Sequence, residues 1–314
     1  MLFDPEDTLQ PREADLGSAR LVYFQGSSGH HYAGVLYTPA SPVRGVVVHV
    51  HGTLGNFYAN PFIQELADEY DRCGLGLLSF NLRAHDGVAE GVSGLALEYV
   101  GGCLTGFGSC VDDIASACGF VRSSGYQVAA LQGHSLGCER VLAYVCECSV
   151  DIPLVLLCPV DTIGNQVRWD QHALNAVASL QHDSVLDLEN AIVLRTDIYG
   201  ALGRSEDWQY PIPTTEEAWR SLFQSEYAAF FAAGATSERL ARTCTNATGL
   251  IVASPNDSFV AEPWKDFAQL LDDRFPKMAR FSDIACDHDL QGVSEQIAEA
   301  VIGVLEPTRG GIFK

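Results

Sequence analysis

Short runs of consecutive apolar, largely β-branched residues recur along this chain, and stretches with helical spacing separate them. The runs are Gly45–Val50 (GVVVHV), Gly76–Phe80 (GLLSF), Val128–Leu131 (VAAL), Pro153–Leu157 (PLVLL) and Gly249–Ala253 (GLIVA). A strand with one wet face alternates polar and apolar residues; a strand covered on both faces does not. Between the runs, Pro61–Tyr70, Val111–Val121, Leu136–Cys146, Pro263–Leu271 and Val293–Leu305 carry apolar residues at helical intervals, as in Val111, Ile114, Cys118 and Val121. Buried strands alternating with helices predict an α/β fold: a mostly parallel sheet with helices on both faces. Leu21–Gln25 and Tyr32–Tyr37, around the turn Gly26–Gly29, predict a hairpin ahead of that sheet, with His30 and His31 at its turn. A last strand is expected around Ala279–Ile284.

The alternation stops between Asp161 and Thr245. Helical patterns appear instead around Gln171–Leu180 and Glu216–Phe231, with Thr214 and Glu217 at capping-box spacing. A helical lid inserted into an α/β core is therefore expected, with the core split into residues 1–160 and 246–314 and the insertion at 161–245. The inserted stretch carries Trp169, Trp208, Tyr210, Trp219, Phe223, Tyr227, Phe230 and Phe231. Such aromatics can form the lid's own small core, line an apolar pocket over the site, or do both.

Chemistry concentrates at the strand ends. Gly133-His134-Ser135-Leu136-Gly137 is G-x-S-x-G, preceded by the run VAAL and followed by the helical LGCERVLAYV. Strand, tight turn and helix are the setting that strains a serine backbone and exposes its Oγ. A serine hydroxyl is a weak nucleophile and needs an adjacent base. His134 points away from Oγ on such a turn, so the base is sought on a distant loop: His288, in Cys286-Asp287-His288-Asp289 after the last strand. The acid that orients it belongs between Ser and His in chain order. Asp257, in Ser254-Pro255-Asn256-Asp257-Ser258 after GLIVA, fits; Asp161, after PLVLLCPV, is the fallback. Two preorganised donors are needed for the oxyanion. They are expected from the N–H of Leu136 and, in His51-Gly52-Thr53-Leu54-Gly55 after GVVVHV, from Thr53, with Leu54 as the second choice. His51, Gly52 and His134 are expected to support these groups, and Arg83 or His85 to brace the HG loop by hydrogen bonds.

The composition narrows the partners. Net charge is −21, which repels nucleic acid and anionic membranes. No apolar stretch approaches about 20 residues, so no membrane span is expected. Met1–Arg20 has neither a basic n-region nor an apolar h-region, and the expected location is the cytoplasm. The cysteines number ten but form no paired CxxC set, so neither zinc nor another metal is expected. They are expected to serve as small buried residues. No cofactor is called for, and the sequence is silent on oligomeric state.

In the segments VVVHVHGTLGNFY, LLSFNLRAHDG, LQGHSLGCERVLAYV and IVASPNDSFV and the late DHD, taken in that order, the chain resembles the α/β-hydrolase superfamily on its esterase, lipase and acyl-hydrolase side. The likeness spans roughly Leu21–Val160 and Asn246–Leu305. It implies an eight-stranded sheet, a variable lid where Asp161–Thr245 lies, and the triad order Ser135, Asp257, His288. The chain departs from the HGGG branch of that superfamily. The expected activity is hydrolysis of a carboxylic ester or lactone of a bulky or apolar small molecule through an acyl-serine. A thioesterase or an acyltransferase or macrocyclase using the same acyl-serine, C–C bond hydrolysis, and a non-catalytic binder of small molecules are the competing readings.

Overall fold

The computed structural model describes residues 15–16, 19–39, 43–162, 191–196, 210–215, 218, 221–222, 225–234, 236–257, 259–260, 263–281, 284 and 286–305. Chain order is β1 (Asp15–Leu16), β2 (Ala19–Gln25), β3 (His31–Tyr37), β4 (Gly45–Val50), α1 (Pro61–Arg72), β5 (Leu75–Phe80), β6 (Ala89–Ser93), β7 (Ala96–Val100), α2 (Cys110–Ser123), β8 (Val128–His134), α3 (Leu136–Cys148) and β9 (Leu154–Leu157). It continues with β10 (Ala191–Thr196), β11 (Tyr210–Thr215), α4 (Glu238–Asn246), β12 (Gly249–Val252), α5 (Trp264–Arg274), β13 (Met278–Phe281) and α6 (Ser294–Leu305).

The main sheet runs β1-β2-β3-β5-β4-β8-β9-β12-β13. It is the expected eight-stranded sheet with the two-residue β1 added at its edge. Pairing is antiparallel from β1 to β5 and parallel from β5 to β13. Every residue of β4 and β5 is buried, as expected of strands covered on both faces. Successive side chains of β4 serve opposite layers. Val46, Val48 and Val50 join the core under α2, α3, α4 and α5. Val47 joins the core under α1 and α6, with Phe62, Leu66, Ile297 and Val301.

Chain direction across the sheet reverses between β4 and β8, because β5 lies on one side of β4 and all later parallel strands on the other. Connections leaving the carboxyl ends of β4 and β8 therefore diverge and leave a crevice, the place where open α/β sheets bind ligands.

The segment 161–245 differs from expectation. Residues 191–196 and 210–215 form an antiparallel ribbon, with Ala191 opposite Thr215 and Thr196 opposite Tyr210. The run AIVLRT is β-branched, while the prolines of YPIPTT suit an edge strand that donates few ladder bonds. The expected helix over Gln171–Leu180 lies outside the described residues, as do Trp169, Trp208, Trp219 and Phe223. Phe230 and Phe231 are fully buried in the same core as α3, not in a separate lid core. Phe231 stacks on Phe275, and Tyr227 on Phe107 and Phe230. Leu240 and Cys244 of α4 also enter that core.

A buried polar node locks the front of the fold. Asp113 on α2 accepts from the Tyr32 hydroxyl at 2.8 Å, from the Arg83 N–H at 3.0 Å and from Arg83 Nε at 2.6 Å. His30, expected only to mark a turn, is buried and bonds Glu98 on β7 at 2.8 Å. Seven of the ten cysteines are buried and all are free. Removing the shared acceptor leaves a desolvated hydroxyl and a poorly compensated guanidinium, so Asp113→Ala should lower unfolding free energy by about 3 kcal/mol. Urea unfolding followed by far-UV circular dichroism measures it, and a loss under 1 kcal/mol, about the value of one exposed ion pair, contradicts the account.

Candidate active site

Ser135 sits between β8 and α3 with φ 55° and ψ −128°, a strained conformation for a residue with a side chain. Its N–H is held by the Leu157 carbonyl at 2.9 Å, and its carbonyl accepts from Cys138 N–H at 2.9 Å. The flanking glycines permit the turn. A Cβ on Gly133 would overlap the Gly137 backbone, and one on Gly137 would overlap the Val50 carbonyl. Across the crevice, a Cβ on Gly52 would fall 2.8 Å from Ser135 Cβ and 3.2 Å from its Oγ. The HG loop thus lies directly against the serine.

His288 and Asp257, far apart in sequence, are brought together beyond the ends of β13 and β12. His288 Nδ1 lies 2.9 Å from both carboxylate oxygens of Asp257. An ionised carboxylate only accepts, so the Nδ1 N–H donates to it. Asp257 also accepts from the Phe259 N–H at 2.8 Å, and the Phe259 ring packs 4.4 Å from the imidazole. Both Asp257 and His288 are buried. His134, the residue before Ser135, donates from Nε2 to the His288 carbonyl at 2.7 Å. That bond ties the serine turn to the histidine loop. Burial, with neighbouring His288 adding to it, holds the His134 imidazole down at about 3, so it is neutral. Asp161, the fallback acid, is buried near Glu139 instead.

Leu136 opens α3, so its N–H has no acceptor within the helix. Thr53 is exposed in the HG loop, and Leu54 takes φ 54°. These are the residues expected to donate to the oxyanion.

No family model matches the chain, and no curated protein does. Many solved structures share its architecture. DcsB in complex with its substrate analogue is similar at a TM-score of 0.65 and 14% identity, over 93% of this chain and 100% of that one. The alpha/beta hydrolase GrgF from Penicillium sp. sh18 is similar at 0.63 and 17%, over 92% and 98%. The esterase domain of a Rhodothermus marinus protein is similar at 0.55 and 17%, over 90% and 97%. The chain has the α/β-hydrolase fold.

Within this α/β-hydrolase fold, the loop supports differ from those expected. Arg83 does not brace the HG loop: its guanidinium is drawn to α2, where it meets Asp113, Asp112 at 3.2 Å and the Ser109 carbonyl at 3.0 Å. His85 reaches the loop only through Asp86, which it bonds at 2.8 Å. Asp86 in turn accepts from Asn56 at 2.6 Å and from the Tyr58 hydroxyl at 2.6 Å, and its N–H donates to the Gly55 carbonyl at 3.1 Å. His51 is buried, donates from Nδ1 to the Gly52 carbonyl at 2.9 Å and accepts at Nε2 from Leu82 N–H at 3.2 Å. Burial, with Arg140 nearby, pushes its pKa well below the ordinary histidine range. The brace missed in the sequence is Arg140, whose Nη1 donates to the His51 and Gly52 carbonyls.

His134, Cys158 and His288 each bring a nitrogen or sulfur within 4.8 Å of the others. His134 Nε2 is committed to a carbonyl and His288 Nδ1 to Asp257. A hydrogen bond with Cys286, reinforced by burial, raises the Cys158 thiol well above its ordinary range. A metal would need the thiolate, which burial and that hydrogen bond disfavour, so the set fits a metal centre poorly.

A histidine held neutral in the fold but protonated in the unfolded chain makes stability rise with pH between the two pKa values. For His134 that window runs from about 3 up to about 6.5. His134→Gln removes the proton but keeps a donor for the His288 carbonyl. Its unfolding free energy should fall less steeply from pH 6 to pH 4 than the wild type's, by about 1.4 kcal/mol per pH unit. Parallel slopes in urea titrations across that range would show the imidazole to be protonated in the fold.

Proposed function

We propose that the protein is a serine hydrolase that cleaves a carboxylic ester or lactone of a small, bulky or apolar acyl compound through an acyl-serine. The observation that carries this reading is the Asp257–His288 pair, tied by His134 to the strained turn that presents Ser135. Ser135 Oγ attacks the acyl carbonyl while His288 Nε2 takes its proton. Asp257 holds the imidazole in the tautomer that leaves Nε2 free and stabilises the imidazolium that forms. The oxyanion develops between the N–H groups of Leu136 and Thr53. His288 then protonates the leaving alcohol, and water attacks the acyl-serine by the same route in reverse.

Support from relatives is of the same kind. Several similar structures are described as esterases, including one from Butyrivibrio proteoclasticus with ferulic acid bound, at 13% identity and a TM-score of 0.56. With a net charge of −21, the partner is a small acyl compound and not a nucleic acid. Among the described residues no helix is long and apolar enough to cross a membrane.

A thiol-ester substrate, or an amine or alcohol acceptor in place of water, would use the same acyl-serine, and the test separates them. Aryl esters of rising acyl length, lactones and acyl thioesters are incubated with the enzyme, with and without added nucleophile. Free acid as the sole product supports hydrolysis; a transferred acyl group in preference to acid supports transfer. Ser135→Ala should fold normally, lose on the order of 10⁴-fold or more of the turnover, and give no fluorophosphonate adduct. An adduct on that variant at the wild-type level removes Ser135 from the chemistry.

A further inference from the structure

Arg140 is a cation in an unusual place. It lies on α3, five residues beyond the serine, and is buried. Among the described residues it forms no salt bridge, and its Nε has no hydrogen-bond partner. Its neighbour Glu139 bonds Thr162 at 2.8 Å and is pushed up by burial, and Glu139 and Asp113 act on Arg140 through space without a salt bridge. A desolvated guanidinium without a close counter-ion is costly, and such a group is found where its hydrogen bonds do specific work. Those bonds run from Nη1 to the His51 carbonyl at 2.9 Å and the Gly52 carbonyl at 3.1 Å.

Peptide geometry turns these two bonds into a constraint on the next donor. A trans peptide points its C=O and its N–H in opposite directions. The Gly52 oxygen is held by Arg140 Nη1, by His51 Nδ1 at 2.9 Å and by the Gly55 N–H at 3.3 Å. The Thr53 N–H shares that peptide plane and must face the other way. Gly52 itself abuts Ser135, with Oγ 3.2 Å from where its Cβ would be. We propose that Arg140 is a positioning residue for the oxyanion hole: by fixing the Gly52–Thr53 peptide from behind, it aims the Thr53 N–H at the oxygen of the acyl group attacked by Ser135. This rests on the acyl-serine reading above. The full positive charge on the carbonyl side also polarises the peptide, which strengthens its N–H as a donor in a site with low dielectric.

An interaction made only as the oxyanion develops acts on kcat and leaves ground-state binding alone. The test uses Arg140→Met and Arg140→Lys with the ester that the wild type turns over fastest, and a trifluoromethyl ketone of matching acyl group as oxyanion mimic. Arg140→Met should lose roughly tenfold to a hundredfold in kcat, with KM within about twofold of the wild type. Its affinity for the ketone should fall by the same factor as kcat/KM. Arg140→Lys keeps the charge but not the fork, so it should fall between the two, and it carries the test if the methionine variant does not fold. Wild-type kcat in a folded variant overturns the proposal, and so does a kcat loss without loss of ketone affinity. A wild type that neither turns over any ester or thioester nor labels with fluorophosphonate overturns the acyl-serine reading itself, and this one with it.

Discussion

The close approach of the α3 amino terminus to the carboxyl end of β4 is the contact on which the site depends. It exists because residues 52, 133 and 137 are glycines, each at a point where a Cβ would strike neighbouring backbone or Ser135 itself. Packing at this density leaves the serine no relaxed alternative. Its φ of 55° is over-determined by the strands on either side, with the N–H taken by β9 and the carbonyl by α3. Strain is stored in the same region elsewhere. Leu54, Asp86, Cys158 and Leu290 also have positive φ, and all lie in connections leaving the carboxyl edge of the sheet. Among the described non-glycine residues with positive φ, only Ser149, at the far end of α3, lies away from that edge. Five of these six residues thus lie on the rim where the proposed chemistry is placed.

Below the rim lies an unusual amount of buried polarity. His49, His51, His134, Glu139 and Arg140 are all buried between the sheet and the helices that carry the site. Burial holds His49 at about 3, and Gln132 and Tyr70 continue its hydrogen-bond chain at 2.9 and 2.7 Å. An all-apolar core here would be more stable but less directive, because apolar contacts do not fix the rotation of a peptide plane. Hydrogen bonds do, and those of His51, Arg140 and His134 hold backbone of the HG loop and of the His288 loop. The polar core trades stability for a fixed orientation of the loops beside Ser135.

The sheet was largely legible in the sequence for one physical reason: strands buried on both faces show unbroken apolar runs, and the candidate site residues were sought at their carboxyl ends. GVVVHV, VAAL and GLIVA each precede a residue of the site. What escaped has an equally definite cause. The hairpin of β6 and β7 is mostly exposed, with Leu97 76% and Tyr99 74% accessible, so its AEGVS and ALEYV carry no buried pattern. The ribbon in the 161–245 segment pairs a β-branched run with one broken by prolines, which hides the partnership from any local rule. Phe230 and Phe231 were expected in the lid because they lie within the 161–245 stretch; in space they belong to the core beside α3.

Arg83 and Arg140 show where a sequence argument about second-layer residues fails. Arg83 sits in a loop beside the HG loop in the sheet and was the natural candidate to brace it. Yet a charge takes the partner that best compensates its desolvation, and α2 offers two carboxylates, Asp112 and Asp113, where the HG loop offers only carbonyls. Arg140 is on a helix, where a charged residue ordinarily marks the wet face. The signal against that was present: Glu139 and Arg140 are the only charged residues in LGCERVLAYV, whose remaining positions are apolar all round apart from small residues. A helix apolar on every side is covered on every side, and a charge within it has no route to water. Such a charge must find its hydrogen bonds inside the protein, and from α3 Arg140 finds them in the His51 and Gly52 carbonyls, just past the end of β4.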